Sequence, residues 1–167
     1  MKRVPVLVVA LLAAVVFMAR PMAQTPAAKP APPAPAAAGA GRLIEIDATD
    51  QMKFSVVAIA AKPGELLHVR LKGVGTMPKM AMSHNFVLLN AGADATAFAN
   101  DSVMAAATAY IPAAKKAQVI AHTATMVGGG ETADVTFKAP TKPGAYTYLC
   151  SFPGHFLAGM KGTLTVK

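Results

Sequence analysis

The sequence predicts an all-β domain, a sandwich or barrel, carrying one short helical insertion. Short runs rich in Val, Ile, Thr, Tyr and Phe recur through the chain, separated by turn signals such as Lys62-Pro63-Gly64. Between Glu65 and Lys72 the residues alternate, with Leu67, Val69 and Leu71 on one side and His68, Arg70 and Lys72 on the other. That period of two is the mark of a half-buried strand. The exception is Asp94 to Ala117, where alanine dominates; this stretch is expected to be helical and to end before Pro112 or break there.

In order along the chain, the expected strands are Leu43–Asp47, Phe54–Ala61, Glu65–Lys72, His84–Leu89, Gln118–His122, Thr132–Lys138, Ala145–Cys150 and Thr163–Lys167. No internal repeat interrupts this succession. The domain they form is expected to span residues 42–167, because what precedes Arg42 is of a different composition. Lys2 and Arg3 open the chain, and an apolar run follows from Val4 to Ala19. That run is short for a bilayer span, which takes about 20 residues, and suits a secretory leader. Residues 1–23 are therefore read as a signal peptide or, as the alternative, an uncleaved N-terminal membrane anchor. From Gln24 to Gly41, 13 of 18 residues are Pro or Ala, too poor in large apolar side chains for a core and suited to an extended linker. The expected location is the periplasm or another extracytoplasmic space, in soluble or tethered form.

The chain's formal charge of +8 shrinks once this leader is set aside. Without Lys2, Arg3, Arg20 and Lys29, 12 basic residues face 8 acidic ones, with no basic run and no aromatic interleaving. Nucleic-acid binding is not expected. The single cysteine, Cys150, excludes an intramolecular disulfide and any multi-cysteine zinc or iron–sulfur site within one chain.

Chemistry concentrates in Cys150-Ser151-Phe152-Pro153-Gly154-His155-Phe156-Leu157-Ala158-Gly159-Met160. Alternation along the preceding strand puts Tyr146, Tyr148 and Cys150 on one face. Pro153-Gly154 forces a tight loop that can return His155 to Cys150, and Gly159 gives Met160 a second approach. His84 is the candidate for a further nitrogen ligand from a distant strand. Two histidines, a cysteine and a weak axial methionine form the donor set of a blue-copper electron-transfer site. Thiolate and thioether favour Cu(I) and imidazole suits both oxidation states, so a site between the two preferences rearranges little on electron transfer. The readings that compete are a buried cysteine serving only as a small hydrophobe and a Cys/His nucleophile pair. The second is disfavoured because both residues share one short loop and no orienting acid lies near; no enzymatic activity is expected. His68 and His122 are read as solvated or structural histidines.

These stretches resemble the cupredoxins and, within them, the azurins and auracyanins. Besides the Cys-Ser-Phe-Pro-Gly-His loop and the closing Met-Lys-Gly-Thr-Leu-Thr-Val, the resemblance rests on Asp50–Phe54, Met77–Phe86 and Val119–Thr123. It implies a Greek-key fold holding one type 1 copper ion, with His84, Cys150 and His155 as equatorial ligands and Met160 as the axial one. Asn85 and Ser151 would fix the loops and tune the cysteine sulfur. Met82, Phe152, Pro153, Gly154 and Phe156 would form a docking patch for redox partners, such as c-type cytochromes or membrane electron-transfer complexes. Four residues separate His155 from Met160 where azurins have three, a spacing that looks auracyanin-like. Ser83 replaces a glycine whose carbonyl is a distant fifth contact in azurins, which leaves a weak axial backbone contact at Ser83 open. Phe86 stands where azurins commonly have a buried Trp, and the azurin disulfide is absent. The alternative function is Cu(I) handling by a periplasmic chaperone that uses Met77, Met80 and Met82.

Overall fold

In the computed structural model, residues 41–167 are described; the expected leader (1–23) and all but the last residue of the expected linker (24–41) lie outside them. Nine strands build two open sheets. The first has the order β2-β1-β4-β7 and the second β3-β9-β8-β5-β6. The strands are β1 Arg42–Thr49, β2 Lys53–Phe54, β3 Ala58–Ala61, β4 Leu66–Gly73, β5 Val87–Leu89, β6 Val119–His122, β7 Thr132–Lys138, β8 Gly144–Leu149 and β9 Lys161–Val166. Pairing is antiparallel except for β1 with β4 and β3 with β9. The described residues thus form a sandwich and not a closed barrel.

The alternation read from the sequence decides which side chains lie between the sheets. Leu67, Val69 and Leu71 of β4 are fully buried and pack with Ile44, Ile46 and Ala48 of β1. The second sheet contributes Ile59, Tyr146, Tyr148, Leu164 and Val166 to the same cluster. His68, Arg70 and Lys72 project from the outer face, where Asp134 accepts from His68 and Arg70 at 2.7 and 2.9 Å and Lys72 pairs with Glu45. β5 does not alternate, because both of its faces are covered. Val87 and Leu89 point away from the main core into a second cluster with Phe98, Ile111, Leu149 and Phe156.

That second cluster explains the Ala-rich insertion. It is one helix, α1 (Ala95–Ser102), followed by 3₁₀ turns at Ala106–Thr108 and Ala113–Gln118. Asp94 caps α1 by accepting the Ala97 amide at 2.9 Å. The break is wider than Pro112 alone: Ala109 and Tyr110 both adopt left-handed backbone, at φ 51° and 60°, which no helix can continue. Phe98 and Ile111 then seat the insertion on the outer face of the second sheet.

Two strand expectations need correction. Phe54–Ala61 is not one strand, because Lys53–Phe54 pairs with β1 in the first sheet while Ala58–Ala61 pairs with β9 in the second. Ser55 ends the first pairing, its hydroxyl accepting the Asp47 amide at 2.8 Å and its own amide donating to the Asp47 carbonyl at 2.9 Å. His84–Leu89 is a strand only from Val87 onward; His84 instead forms an isolated bridge with Val127.

Where the chain crosses between sheets, the Tyr148 hydroxyl donates to the Val56 carbonyl at 2.7 Å, and the Tyr148 ring stacks on Phe86 at 5.1 Å. Tyr148→Phe keeps the ring and strips the Val56 carbonyl of its donor. Urea unfolding of the metal-free protein is expected to show a loss of about 1–2 kcal/mol, with an unchanged slope; a variant as stable as the parent would refute this role.

Candidate metal centre

The site is assembled from two chain segments. His84 and Asn85 come from the connection before β5, and Cys150, His155 and Met160 come from the loop between β8 and β9. The first segment is held without being a strand. The His84 amide donates to the Val127 carbonyl at 2.8 Å, and the Val127 amide donates back to the His84 carbonyl at 2.8 Å. Upstream, the Asp50 carboxylate accepts the Thr76 and Met77 amides at 2.7 and 3.2 Å. These bonds locate the chain entering the site.

The second segment folds back on itself. β8 stops at Leu149, one residue before Cys150, and the side chain of Cys150 continues the buried face of Tyr146 and Tyr148. Gly154 follows Pro153 at φ 83°, backbone that a side chain would strain. The Met160 amide then donates to the His155 carbonyl at 2.9 Å, and the Cys150 amide donates to the Met160 carbonyl at 3.1 Å. Cys150, His155 and Met160 are thereby tied together through their main chains.

Asn85 joins the two segments. Its side-chain amide donates to Ser151 Oγ at 2.8 Å and to the Ala109 carbonyl at 2.9 Å, and its Oδ1 accepts the Ser151 amide at 2.8 Å. Asn85 and Ser151 thus bond the segment that carries His84 to the segment that carries Cys150. The Ala109 contact was not legible, because nothing in an Ala-rich run distinguishes one carbonyl from its neighbours.

The result is a compact donor set. One ligand atom each from His84, Cys150 and His155 lies within 4.8 Å of the others, and all three residues are buried. Cys150 Sγ is 3.4 Å from His155 Nδ1 and 4.0 Å from the Ser83 carbonyl oxygen, so Ser83 also borders the site. The two imidazole rings are 5.0 Å apart. Met160 is fully buried, its amide bonded to the His155 carbonyl and its carbonyl to the Cys150 amide. His68 and His122 lie outside this set, the first bound to Asp134 and the second with Nδ1 2.9 Å from the Thr123 carbonyl.

Burial sets the protonation states. It pushes the Cys150 thiol up to about 12, against the backbone N–H groups of Asn85 and Phe152, which favour the thiolate. It pushes His155 down to about 4, with His84 adding to the effect, and lowers His84 as well. Without metal near pH 7 the site is a neutral thiol between two neutral imidazoles. Among the described residues, His84 Nδ1 is buried with no hydrogen-bond partner, which costs free energy unless a ligand takes its lone pair. One thiolate and two imidazoles, dry and converging, are the donors that copper prefers and that hard cations do not. The residues present fit a copper ion, held by His84, Cys150 and His155.

The expected docking patch is only partly exposed. Gly154 is exposed and Met82, Phe152 and Pro153 are half-buried, but Phe156 is 7% exposed and belongs to the second core cluster. Its neighbour Leu157 is outermost instead, at 71%. In the tight loop the side chain after His155 turns under the insertion, a direction that hydrophobicity alone does not reveal. The Phe152 ring lies 4.8 Å from His155 and 5.1 Å from Tyr110; Tyr110 was not anticipated, since its place depends on the left-handed turn at Ala109 and Tyr110.

Comparison with known proteins agrees with this geometry. Residues 40–167 match the model of copper binding proteins of the plastocyanin/azurin family. Auracyanin-B of Chloroflexus aurantiacus is 40% identical over 120 residues, 71% of this chain and about half (49%) of that protein's length. An azurin of Pseudomonas fluorescens biotype C is 40% identical over 127 residues, 74% of this chain and 97% of the azurin. Among solved structures, a dithionite-reduced auracyanin from Roseiflexus castenholzii superposes with a TM-score of 0.66 at 31% identity, covering 77% of this chain and 99% of the auracyanin. An azurin from Methylomonas sp. strain J does so with a TM-score of 0.66 at 34% identity, covering 75% and 98%. With the fold, the buried His84–Cys150–His155 set and these relatives in agreement, the chain belongs to the plastocyanin/azurin family of copper-binding proteins.

Proposed function

We propose that this protein is a blue-copper electron carrier that moves single electrons between extracytoplasmic redox partners, and that His84, Cys150, His155 and Met160 would hold the ion. The observation that carries the reading is the buried convergence of one thiol and two imidazoles within 4.8 Å. Bound copper would supply a one-electron couple between Cu(II) and Cu(I). The protein's part is to hold its donors still. Cys150 gives up its proton and offers a thiolate, while the Asn85 and Phe152 amides accommodate the sulfur's charge. His84 offers the nitrogen left free at Nδ1. Asn85 and Ser151 keep the two segments in register, so that neither must move when the charge changes.

Partners are proposed to dock around the loop that carries His155. Met82, Phe152, Pro153 and Gly154 belong to this surface, and Leu157 takes the place expected for Phe156. A surface that is half-buried and apolar at Met82, Phe152 and Pro153 and exposed at Leu157 suits small, short-lived redox encounters, for which c-type cytochromes or membrane electron-transfer complexes are the proposed class. Residues 1–23 would export the chain or anchor it, and 24–41 would act as the tether. The protein is proposed as a carrier and not an enzyme. The Cu(I)-delivery alternative has no comparable observation in its favour: Met77 and Met80 are exposed, at 42% and 93%, whereas the ligand set is buried.

Adding one equivalent of Cu(II) to the reduced, folded protein is expected to give an intense blue band and a narrow copper hyperfine splitting. A colourless product would refute the proposal. Cys150→Ser is expected to abolish the band. Met160→Leu is expected to keep the band and raise the midpoint potential, since a hydrocarbon removes a donor and disfavours the more highly charged Cu(II).

Proton release gives an independent check. The thiol, pushed up to about 12, must lose its proton to bind, whereas His155, pushed down to about 4, and His84, also lowered, are already neutral. Cu(II) binding between about pH 7 and pH 8 is therefore expected to release close to one proton, measurable by calorimetry in buffers of different ionisation enthalpy. Release near zero or near three would contradict the assigned ligand states.

A further inference from the structure

We infer that Lys53 is a positioning residue for the copper site, pinning the ligand loop between His155 and Met160 and raising the reduction potential through its charge. The inference rests on the copper reading above and extends it to a residue outside the ligand segments. Lys53 belongs to the two-residue strand β2, and its Nζ donates to the Ala158 carbonyl at 2.7 Å across 105 residues of sequence. Ala158 lies midway in the stretch from Phe156 to Gly159 that separates the two ligands.

Lys53 adds a hold from outside the loop to the main-chain bonds that tie Met160 to His155 and Cys150. Its internal bonds run Ala158 amide to Gly154 carbonyl at 3.0 Å and Gly159 amide to Phe156 carbonyl at 3.0 Å, a single irregular turn. Gly159 then takes φ 93°, backbone that lets the chain double back into Met160. A Cβ placed on Gly159 would sit 3.1 Å from Lys53 Nζ, so the ammonium fills the space beside the turn. The loop is one residue longer than the azurin spacing, and β2 is the element that reaches it. β2 itself is anchored firmly, pairing with β1 through Phe54 and Lys53 and burying Phe54 in the core. The ammonium is therefore delivered by a rigid strand to the backbone that spaces the axial ligand from His155.

Two consequences differ in kind. The hydrogen bond limits how far the turn can breathe, and so how far Met160 can withdraw. The charge favours the less positive state of the site, Cu(I), and weakens with salt because Lys53 is exposed. Lys53→Met keeps length and removes both effects; Lys53→Gln keeps a donor without the charge; Lys53→Arg keeps both.

Three readouts test the inference on the full chain. In the copper-free protein, the amides of Ala158, Gly159 and Met160 are expected to exchange with solvent about three- to tenfold faster in Lys53→Met than in the parent, the range for a partly exposed charge-assisted bond. In the Cu(II) protein, Lys53→Met is expected to alter the ratio of the two sulfur-to-copper bands, which reports axial ligation, and to lower the midpoint potential. Lys53→Gln is expected to lower the potential with less change in the band ratio, and Lys53→Arg to match the parent. If Lys53→Met binds copper, turns blue and matches the parent in exchange, spectrum and potential, the inference is overturned while the electron-carrier reading stands. If the parent itself stays colourless with copper, the carrier reading fails; unchanged loop exchange in metal-free Lys53→Met still overturns the pin on its own.

Discussion

The hydrogen bonds between Asn85 and Ser151 hold together two segments that are 66 residues apart in sequence. One carries His84 and the other Cys150, and neither ligand lies within a strand. Sheet pairing by itself would leave both at the ends of connections, where backbone is least constrained. The side chain of Asn85 uses both its donors and its acceptor to close that gap, and its third bond recruits Ala109 from the insertion. The 94–117 insertion thus has a purpose beyond covering Val87 and Leu89. It supplies the carbonyl that completes the clasp and the Tyr110 ring that backs Phe152.

A site held in this way is costly before metal arrives. A buried imidazole nitrogen without a partner opposes folding by about 1–3 kcal/mol, and the buried thiol resists ionisation. Metal binding removes the first penalty and must outweigh the cost of ionising the thiol; where it does, copper stabilises the fold as well as filling the site. The same rigidity suits one-electron chemistry. Main-chain bonds among Cys150, His155 and Met160 would limit how far the proposed donors shift toward the geometry that either oxidation state favours alone.

Much of the fold was legible because it follows from local pattern. The alternation in β4 has the buried and exposed faces that the sequence implied, since a two-residue period permits only one arrangement against a core. The convergence of His84, Cys150 and His155 was legible through motif resemblance. What was hidden depends on long-range geometry. Phe54–Ala61 is apolar except for Ser55, and no local signal tells that its halves join different sheets. Phe156 is as hydrophobic as Phe152, yet one fills the second core cluster while the other stays half-exposed. Lys53 carried no signal of its own beyond its place in the stretch Asp50–Phe54; its bond to Ala158 depends on β2 lying beside the ligand loop. Residues 1–40 contribute only composition to this account.

If the protein framework, and not the metal, fixes the two-nitrogen, one-thiolate site, that site changes little with oxidation state. X-ray absorption fine structure at the copper edge, recorded on the Cu(II) protein and after reduction, measures this. One short sulfur and two nitrogen neighbours are expected in both states, with only small changes in distance. Loss of the sulfur, or a reduced site that sheds a histidine, would contradict it.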